Sequence, residues 1–457
     1  MNNEIIAAIA TGFNNSGIGI VRISGSGSFS LIKKIFKKKD GSSFEDIDSH
    51  RVYYGFIMDG EDVLDEVLVV PMKSPHSFTT EDTVEIDCHG GNLVLRRILE
   101  LVLRCGARIA EPGEFTKRAF LNGRLDLSEA EAVIDVINSK NDLFLKNSLR
   151  QLKGDLYKDI SNIRQELLYE IARIESALDD PEHYDLTGYS SELKEKLLNV
   201  IERIRGFIKG YENGRIIKEG IKTVILGKPN VGKSSFLNML SGYEKSIVTD
   251  IPGTTRDVIE ESVILDGLNL ILYDTAGIRE SDDKVEQIGV KKAMESAGNS
   301  DLLILMIDSS DDLTSEDIDL FGFIKDKNAI VLYNKSDLNS VIHPDDLKKY
   351  TDKDIVKISV KDKTGISELS GLINDMFIKG SLSYNDEVMI TNERHKKLLD
   401  DSLNSLSNVM VSIDSGLPED FYSIDLKDAY DSLGMIIGEN TGDDIIDMIF
   451  SEFCLGK

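Results

Sequence analysis

At 457 residues, 41% of them hydrophobic, the chain is long enough for two to four domains with sizeable cores, yet it has no run of about eighteen apolar residues, which excludes a transmembrane helix. Its 80 acidic against 53 basic residues give a net charge of −27, which excludes tight unaided binding to nucleic acid; an RNA role needs a local basic patch or a basic partner. Three widely spaced cysteines, Cys88, Cys105 and Cys454, give no disulfide framework and fit a reducing cytosol, and neither a Cys-x-x-Cys pair nor a His cluster points to zinc.

The opening Met1-Asn2-Asn3-Glu4 has no basic region and no cleavage site, so a cytoplasmic location without a signal peptide is expected. Residues 1–118 read as a mixed α/β unit. Ile18–Ser24 has strand character and runs into the glycine turn Gly25–Gly27. Lys33, Lys34, Lys37, Lys38 and Lys39 form a basic cluster best explained as a solvated helix end. Val67–Val70 and Thr83–Cys88 read as strands, Leu93–Arg104 as a helix, and the turn Glu111–Glu114 closes the unit. With no catalytic triad and no phosphate loop, the residues of this unit alone suggest a binding or dimerisation domain.

Residues 119–215 change character. Leu149, Leu152, Leu156, Ile160, Ile163, Leu167, Ile171, Ile174 and Leu178 recur in steps of three and four, one stripe of a long helix that Gly154 loosens and Asp179-Asp180-Pro181 ends. A second helix carries Leu193, Leu197, Val200, Ile204 and Ile208 on one face.

In residues 216–379 the pattern turns to buried strands separated by motifs. Ile221–Leu226 reads as a strand, and Gly227-Lys228-Pro229-Asn230-Val231-Gly232-Lys233-Ser234 after it fits G-x-x-x-x-G-K-[ST]; Ser235 opens the helix that follows. In that context the backbone N–H groups and the positive helix end cradle phosphates, Lys233 reaches the β- and γ-phosphates, and Ser234 ligates Mg²⁺. Thr249-Asp250-Ile251-Pro252-Gly253-Thr254-Thr255 offers a switch loop, with Thr255 on Mg²⁺. Asp274-Thr275-Ala276-Gly277 ends the strand Leu270–Tyr273, where the Asp can hold the metal through water and the Gly N–H can meet a γ-phosphate. Asn334-Lys335-Ser336-Asp337 follows the strand Ala329–Tyr333. Its carboxylate can accept from both N1 and the exocyclic amine of guanine, a donor pair adenine lacks, so GTP is the expected nucleotide. Ser359-Val360-Lys361 after Asp354–Ile358 resembles the last base-contacting loop, with Val360 where Ala is usual. Ile278 directly follows the Asp-x-x-Gly motif and cannot orient water; Asn230 and the switch-loop carbonyls could instead hold a monovalent cation.

Helical pattern returns over 380–457, with Leu399, Leu403, Leu406 and Met410 aligned, a turn at Gly416-Leu417-Pro418 and a further helix over Asp425–Ile437. The simplest arrangement is a helical bundle domain in two parts, 119–215 and 380–457, interrupted by a Ras-like P-loop GTPase domain of 216–379. The expected fold class is therefore multidomain, α/β plus all-α.

Several stretches together identify a family. Val21-Arg22-Ile23-Ser24-Gly25, Val84–Gly91, Pro112–Leu127 and the closing Phe453-Cys454-Leu455-Gly456-Lys457, with the nucleotide motifs in order between them, resemble the MnmE (TrmE) family of tRNA modification GTPases over essentially the whole chain. The resemblance implies that the N-terminal unit binds folate and forms a homodimer. It implies a complex with the FAD-dependent MnmG (GidA) subunit that installs an aminomethyl-type (carboxymethylaminomethyl) group on carbon 5 of the wobble uridine of certain tRNAs, with no membrane involved. Carried over by motif, Arg22, Glu85, Arg124 and Lys457 contact a tetrahydrofolate derivative (5-formyl or 5,10-methylene), Arg124 standing where many relatives have Lys. Cys454 is a catalytic candidate beside that site, with a buried apolar role as its plainer explanation. The cation is implied to be potassium, held by Asn230, Thr249, Ile251 and Thr254, and Glu286 is implied to orient the attacking water. A different class, a GTPase switch in ribosome or RNP assembly without modification chemistry, would carry a basic RNA-binding module, which this acidic chain lacks. A GTP-binding scaffold without chemistry of its own is the third reading.

Overall fold

The computed structural model describes residues 4–12, 15–42, 44–45, 47–180, 182–183, 186–242, 261–273, 298, 300–379 and 388–457. The chain forms two compact units, one of residues 1–137, 148–200 and 401–457, the other of 138–147 and 201–400. The mixed α/β and all-helical character expected from the sequence is present in both sheets and helices.

The first unit is built on a seven-stranded sheet. Its strands are β1 (Ile6–Ile9), β2 (Gly19–Ser24), β3 (Phe36–Lys38), β4 (Tyr53–Asp59), β5 (Asp62–Met72), β6 (Thr83–Cys88) and β7 (Arg108–Ile109), in the order β3-β4-β5-β6-β2-β1-β7. Only the β1–β7 pairing is parallel. The period-2 alternation of β2 and β6 sends Val21, Ile23, Val84, Ile86 and Cys88 into a core shared with helices Ser28–Ile35 and Asn92–Arg104. Arg22 and Glu85 point to the other face, and the antiparallel register sets them directly opposite each other. The lysine cluster is not one helix end: Lys33 and Lys34 close helix Ser28–Ile35, whereas Lys37 and Lys38 lie on edge strand β3, where charge discourages pairing with another chain.

The helices of this unit follow their stripes, with one correction. The long helix expected from Leu149 onward is two helices, Asp142–Leu152 and Asp155–Asp179, because Gly154 takes φ +80°, which ends one helix and begins the next. Leu156, Ile160, Ile163, Leu167 and Ile174 are then buried, and helix Asp155–Asp179 packs along helix Glu419–Ile437. The latter begins a turn and a half before the expected Asp425.

The second unit holds a six-stranded sheet of β8 (Ile221–Leu226), β9 (Glu261–Leu265), β10 (Leu268–Leu272), β11 (Leu302–Asp308), β12 (Ala329–Asn334) and β13 (Asp354–Lys357), ordered β13-β12-β11-β8-β10-β9. All pairings are parallel except β9–β10. Alternate residues of β8, β11 and β12 enter two different cores, Ile225, Ile304 and Leu332 on one face, Val224, Leu305 and Val331 on the other. Burial on both faces is why these strands read as continuous apolar runs. The order reverses at β8, so the loops after β8, β12 and β13 open into one crevice at the carboxyl ends of the strands.

Candidate functional site

The crevice of the second unit begins with the loop after β8. Gly227 (φ +147°), Asn230 (φ +63°) and Gly232 (φ +104°) turn it so that it wraps back toward helix Lys233–Gly242. A Cβ at Gly227 would lie 2.6 Å from the Met306 carbonyl, and one at Gly232 would lie 2.5 Å from Asn334 Nδ2, so both positions are closed to larger residues. Lys233 Nζ donates to the Gly227 and Lys228 carbonyls at 2.8 and 2.7 Å, which keeps the ammonium at the centre of the loop. Val231 is buried, while Asn230 is exposed.

Asn334 ties this loop to the others. Its Nδ2 donates to the Val231 carbonyl at 2.8 Å and its Oδ1 accepts from the Val360 N–H at 3.4 Å. Asp337 Oδ1 accepts from Ser359 Oγ at 2.8 Å, and Lys361 Nζ lies 3.9 Å from Oδ2. Lys335, at φ +61°, extends to Asp308 Oδ2 at 2.5 Å. Burial would push the Asp308 carboxyl up, but Lys335 and the Ser310 hydroxyl and amide outweigh it and hold it below the usual carboxylate range. The cavity between these loops measures about 950 Å³ and is lined by Gly232, Ser235, Asn334, Lys335, Asp337 and Val360, among others. A phosphate loop at one end and the Asp337 carboxylate beside the apolar Leu338 and Val360 at the other suit a guanine nucleotide. Ser234 follows Lys233 in the first turn of the helix.

A second cluster occupies the outward face of the first unit's sheet. Arg22 Nε donates to Glu85 Oε1 at 2.8 Å, and Arg22 Nη1 reaches the Gly456 carbonyl at 3.4 Å. Its guanidinium carbon lies 5.9 Å from the Phe78 ring centroid and 5.6 Å from that of Phe115. Arg124 sits over the same Phe78 ring at 4.7 Å and donates to the Phe78 carbonyl at 2.6 Å. Lys457 joins Arg22 and Glu85: burial and then the Arg22 charge hold its ammonium below the usual lysine range, against the opposing pull of Glu85 and Cys454.

The closing segment reaches the sheet through specific contacts. Phe453 is buried with its ring 5.2 Å from that of Phe450. Gly113 N–H donates to the Cys454 carbonyl and Phe115 N–H to that of Lys457. Gly456 takes φ +89°, and a Cβ there would lie 2.3 Å from the Ile9 carbonyl. Cys454 itself is exposed. Under this seat, Arg118 bridges Glu81 and Glu114, and Arg108 also grips Glu114, so the Pro112–Arg118 stretch anchors the segment.

The structure thus brings Arg22, Glu85 and Lys457 together and joins Arg124 to them through Phe78. Thr249, Asp250, Ile251, Pro252, Gly253, Thr254, Thr255, Asp274, Thr275, Ala276, Gly277 and Glu286 lie outside the described residues. Sequence reasoning named Ser359 through its loop, which resembles a base-contacting one, but missed Phe78 and Asp308, because each matters only through a partner distant in sequence.

Two family models match the chain: GTP-binding protein TrmE N-terminus over residues 5–124 and MnmE helical domain over residues 127–454. A tRNA modification GTPase MnmE of Lachnoclostridium phytofermentans is 54% identical over 458 residues, covering 100% of both chains. Those of Acetivibrio thermocellus and Clostridioides difficile are 48% and 46% identical, covering 99% and 100% of this chain and 99% of each relative.

Proposed function

Because this chain belongs to the MnmE family of tRNA modification GTPases and is itself such a GTPase, we propose that it is the folate-binding subunit of a complex that adds a carboxymethylaminomethyl-type group to carbon 5 of the wobble uridine of certain tRNAs. The observation that carries this reading is the meeting of Arg22, Glu85 and Lys457, with Gly456 bonded to Arg22 across 434 residues of sequence. A cluster that offers donors, an acceptor and two aromatic walls suits a pteridine with its fused hydrogen-bonding edge.

In this reading Arg22, Glu85, Arg124 and Lys457 bind a 5-formyl- or 5,10-methylene-tetrahydrofolate, and exposed Cys454 stands at its edge as the catalytic candidate. At the nucleotide, Lys233 contacts the β- and γ-phosphates, Asp337 reads guanine, and Glu286 orients water. Ser234 and Thr255 would hold magnesium, and Asn230, Thr249, Ile251 and Thr254 potassium. The ions supply positive charge beside the phosphates, and the folate supplies a one-carbon unit. Asn230, exposed in the phosphate loop with its backbone at φ +63°, supports a further oxygen donor there. The working assembly is a homodimer joined to the FAD-dependent MnmG subunit, with tRNA bound in that complex and in the cytoplasm where tRNA is used; a chain of net charge −27 leaves basic RNA contacts to the partner.

Nucleoside analysis of tRNA from cells lacking this chain tests the reading. Loss of the modified wobble uridine is expected, and unchanged modification overturns it. Turnover of GTP should also be fast in potassium and slow in sodium at matched ionic strength; equal rates would remove the cation from the proposal.

A further inference from the structure

Next to the Arg22 cluster lies a cavity of about 590 Å³ of which the reading above uses only Arg124. Arg124, His50, His76, Thr80 and Asn122 line it, and Phe78 is part of its wall. In a chain with 80 acidic residues, none lines this cavity. The nucleotide cavity includes Asp337, and a third cavity, in the second unit, includes Glu212 and Asp301. Two of the six histidines of the sequence are here. Imidazole and guanidinium both supply N–H donors, and hydroxyl and amide groups complete a lining suited to anions.

The lining is held in an unusual shape. His50 and Thr80 both take φ +61°, the left-handed region that a β-branched Thr rarely adopts. The bonds that hold it are His50 N–H to the Pro71 carbonyl at 2.7 Å, Ser74 Oγ to the Thr80 carbonyl at 2.8 Å and Asn122 Nδ2 to the Thr79 carbonyl at 2.7 Å. The His50 ring is fixed in turn by Ser49 Oγ at 2.7 Å from Nδ1.

Phe78 connects this cavity to the neighbouring cluster, since the guanidinium carbons of Arg22 and Arg124 both lie within 6 Å of its ring centroid, at 5.9 and 4.7 Å. A ligand whose planar end meets Arg22, Glu85 and Lys457 can pass Phe78 and end among the donors of the cavity. We infer that this cavity seats the glutamyl carboxylates of the folate, and that the protein selects folates carrying a polyglutamate tail. The inference rests on the folate reading of the Arg22 cluster. A phosphate of RNA would satisfy the same donors, but the shared Phe78 wall favours the tail of the ligand already bound next door.

The test titrates the full chain with 5-formyltetrahydrofolate and with its triglutamate. The triglutamate should bind about tenfold more tightly, the worth of one or two added charge-assisted hydrogen bonds. In His50→Ala/His76→Ala the preference should fall to near one, with an unchanged thermal unfolding profile of the full chain as the folding control. Equal affinities in the wild-type chain overturn the tail seat and leave the folate reading standing, whereas no binding of either form overturns both. A tRNA anticodon stem-loop that binds the wild-type chain and loses affinity in the double variant, while the triglutamate preference persists, makes this a phosphate site and also overturns the inference.

Discussion

The Asp337 carboxylate is positioned from outside its own loop, by the Ser359 hydroxyl at the end of β13 and by Lys361. Asp337→Asn replaces one acceptor by a donor at a site built to accept twice. GTP affinity should fall about a hundredfold or more, with preference moving toward xanthosine nucleotides; equal GTP affinity in wild type and variant would contradict this. At His89 the hydrogen bond from Nδ1 to Asp65 Oδ1, at 2.7 Å, and then the Asp65 charge raise the imidazole above its ordinary 6.5. A raised folded-state value means that the contribution of the pair to stability is complete below the unfolded value and is lost as pH rises through the folded one. An NMR titration should place the His89 midpoint above 6.5, and Asp65→Asn should return it toward 6.5; a midpoint unmoved by that variant would remove the pair as the cause.

Among the elements, the closing segment 453–457 is held by backbone geometry more than by side chains. Gly456→Ala puts a methyl group 2.3 Å from the Ile9 carbonyl at φ +89° and should displace the segment. Folate affinity is expected to fall at least about tenfold, the loss of one charged hydrogen bond. Gly416→Ala, also at positive φ (+67°) but with no atom within 4 Å, is the control: it carries only the backbone cost, about 1 kcal/mol, and should leave binding unchanged. Equal folate affinity in both variants would sever the segment from the site. Elements whose identity is local were legible in the sequence: the helix stripes, and the buried runs of β8 and β12 that end in glycine or Asn-Lys motifs. β11 escaped, although Leu302–Asp308 is as apolar as its neighbours, because no motif follows it. The break at Gly154 was only half legible, since a glycine permits a left-handed turn without requiring one. Phe78 was not legible at all, because its importance is a meeting of Arg22 and Arg124 that no periodicity encodes.

Across the whole molecule, the residues of the nucleotide cavity and those of the proposed folate site belong to different compact units. Glu85→Ala should therefore abolish binding of 5-formyltetrahydrofolate and leave GTP hydrolysis within about twofold, since groups without shared contacts act nearly independently. Loss of both would mean that Glu85 supports the fold as a whole. The same variant should deplete the modified wobble uridine in cells, which separates the folate site from GTP turnover as a requirement for modification.

The bond from Arg22 to the Gly456 carbonyl joins positions 434 residues apart, so it also imposes an order in time. Strands β1 and β2 leave the ribosome long before residues 453–457, yet the site they carry stays incomplete until that segment emerges and docks on them. The long search for that contact is entropically costly but grows only slowly with loop length. Until docking, the outward face of β2 and β6 exposes Arg22, Glu85 and the rings of Phe78 and Phe115 without their last partner. Nascent chains that stop short of residue 453 should bind GTP in their second unit and fail to retain folate; folate retention by such a chain would show that the closing segment is dispensable. On the proposed reading, emergence of residues 453–457 is thus what completes the folate site, and shorter nascent chains do not compete for the ligand.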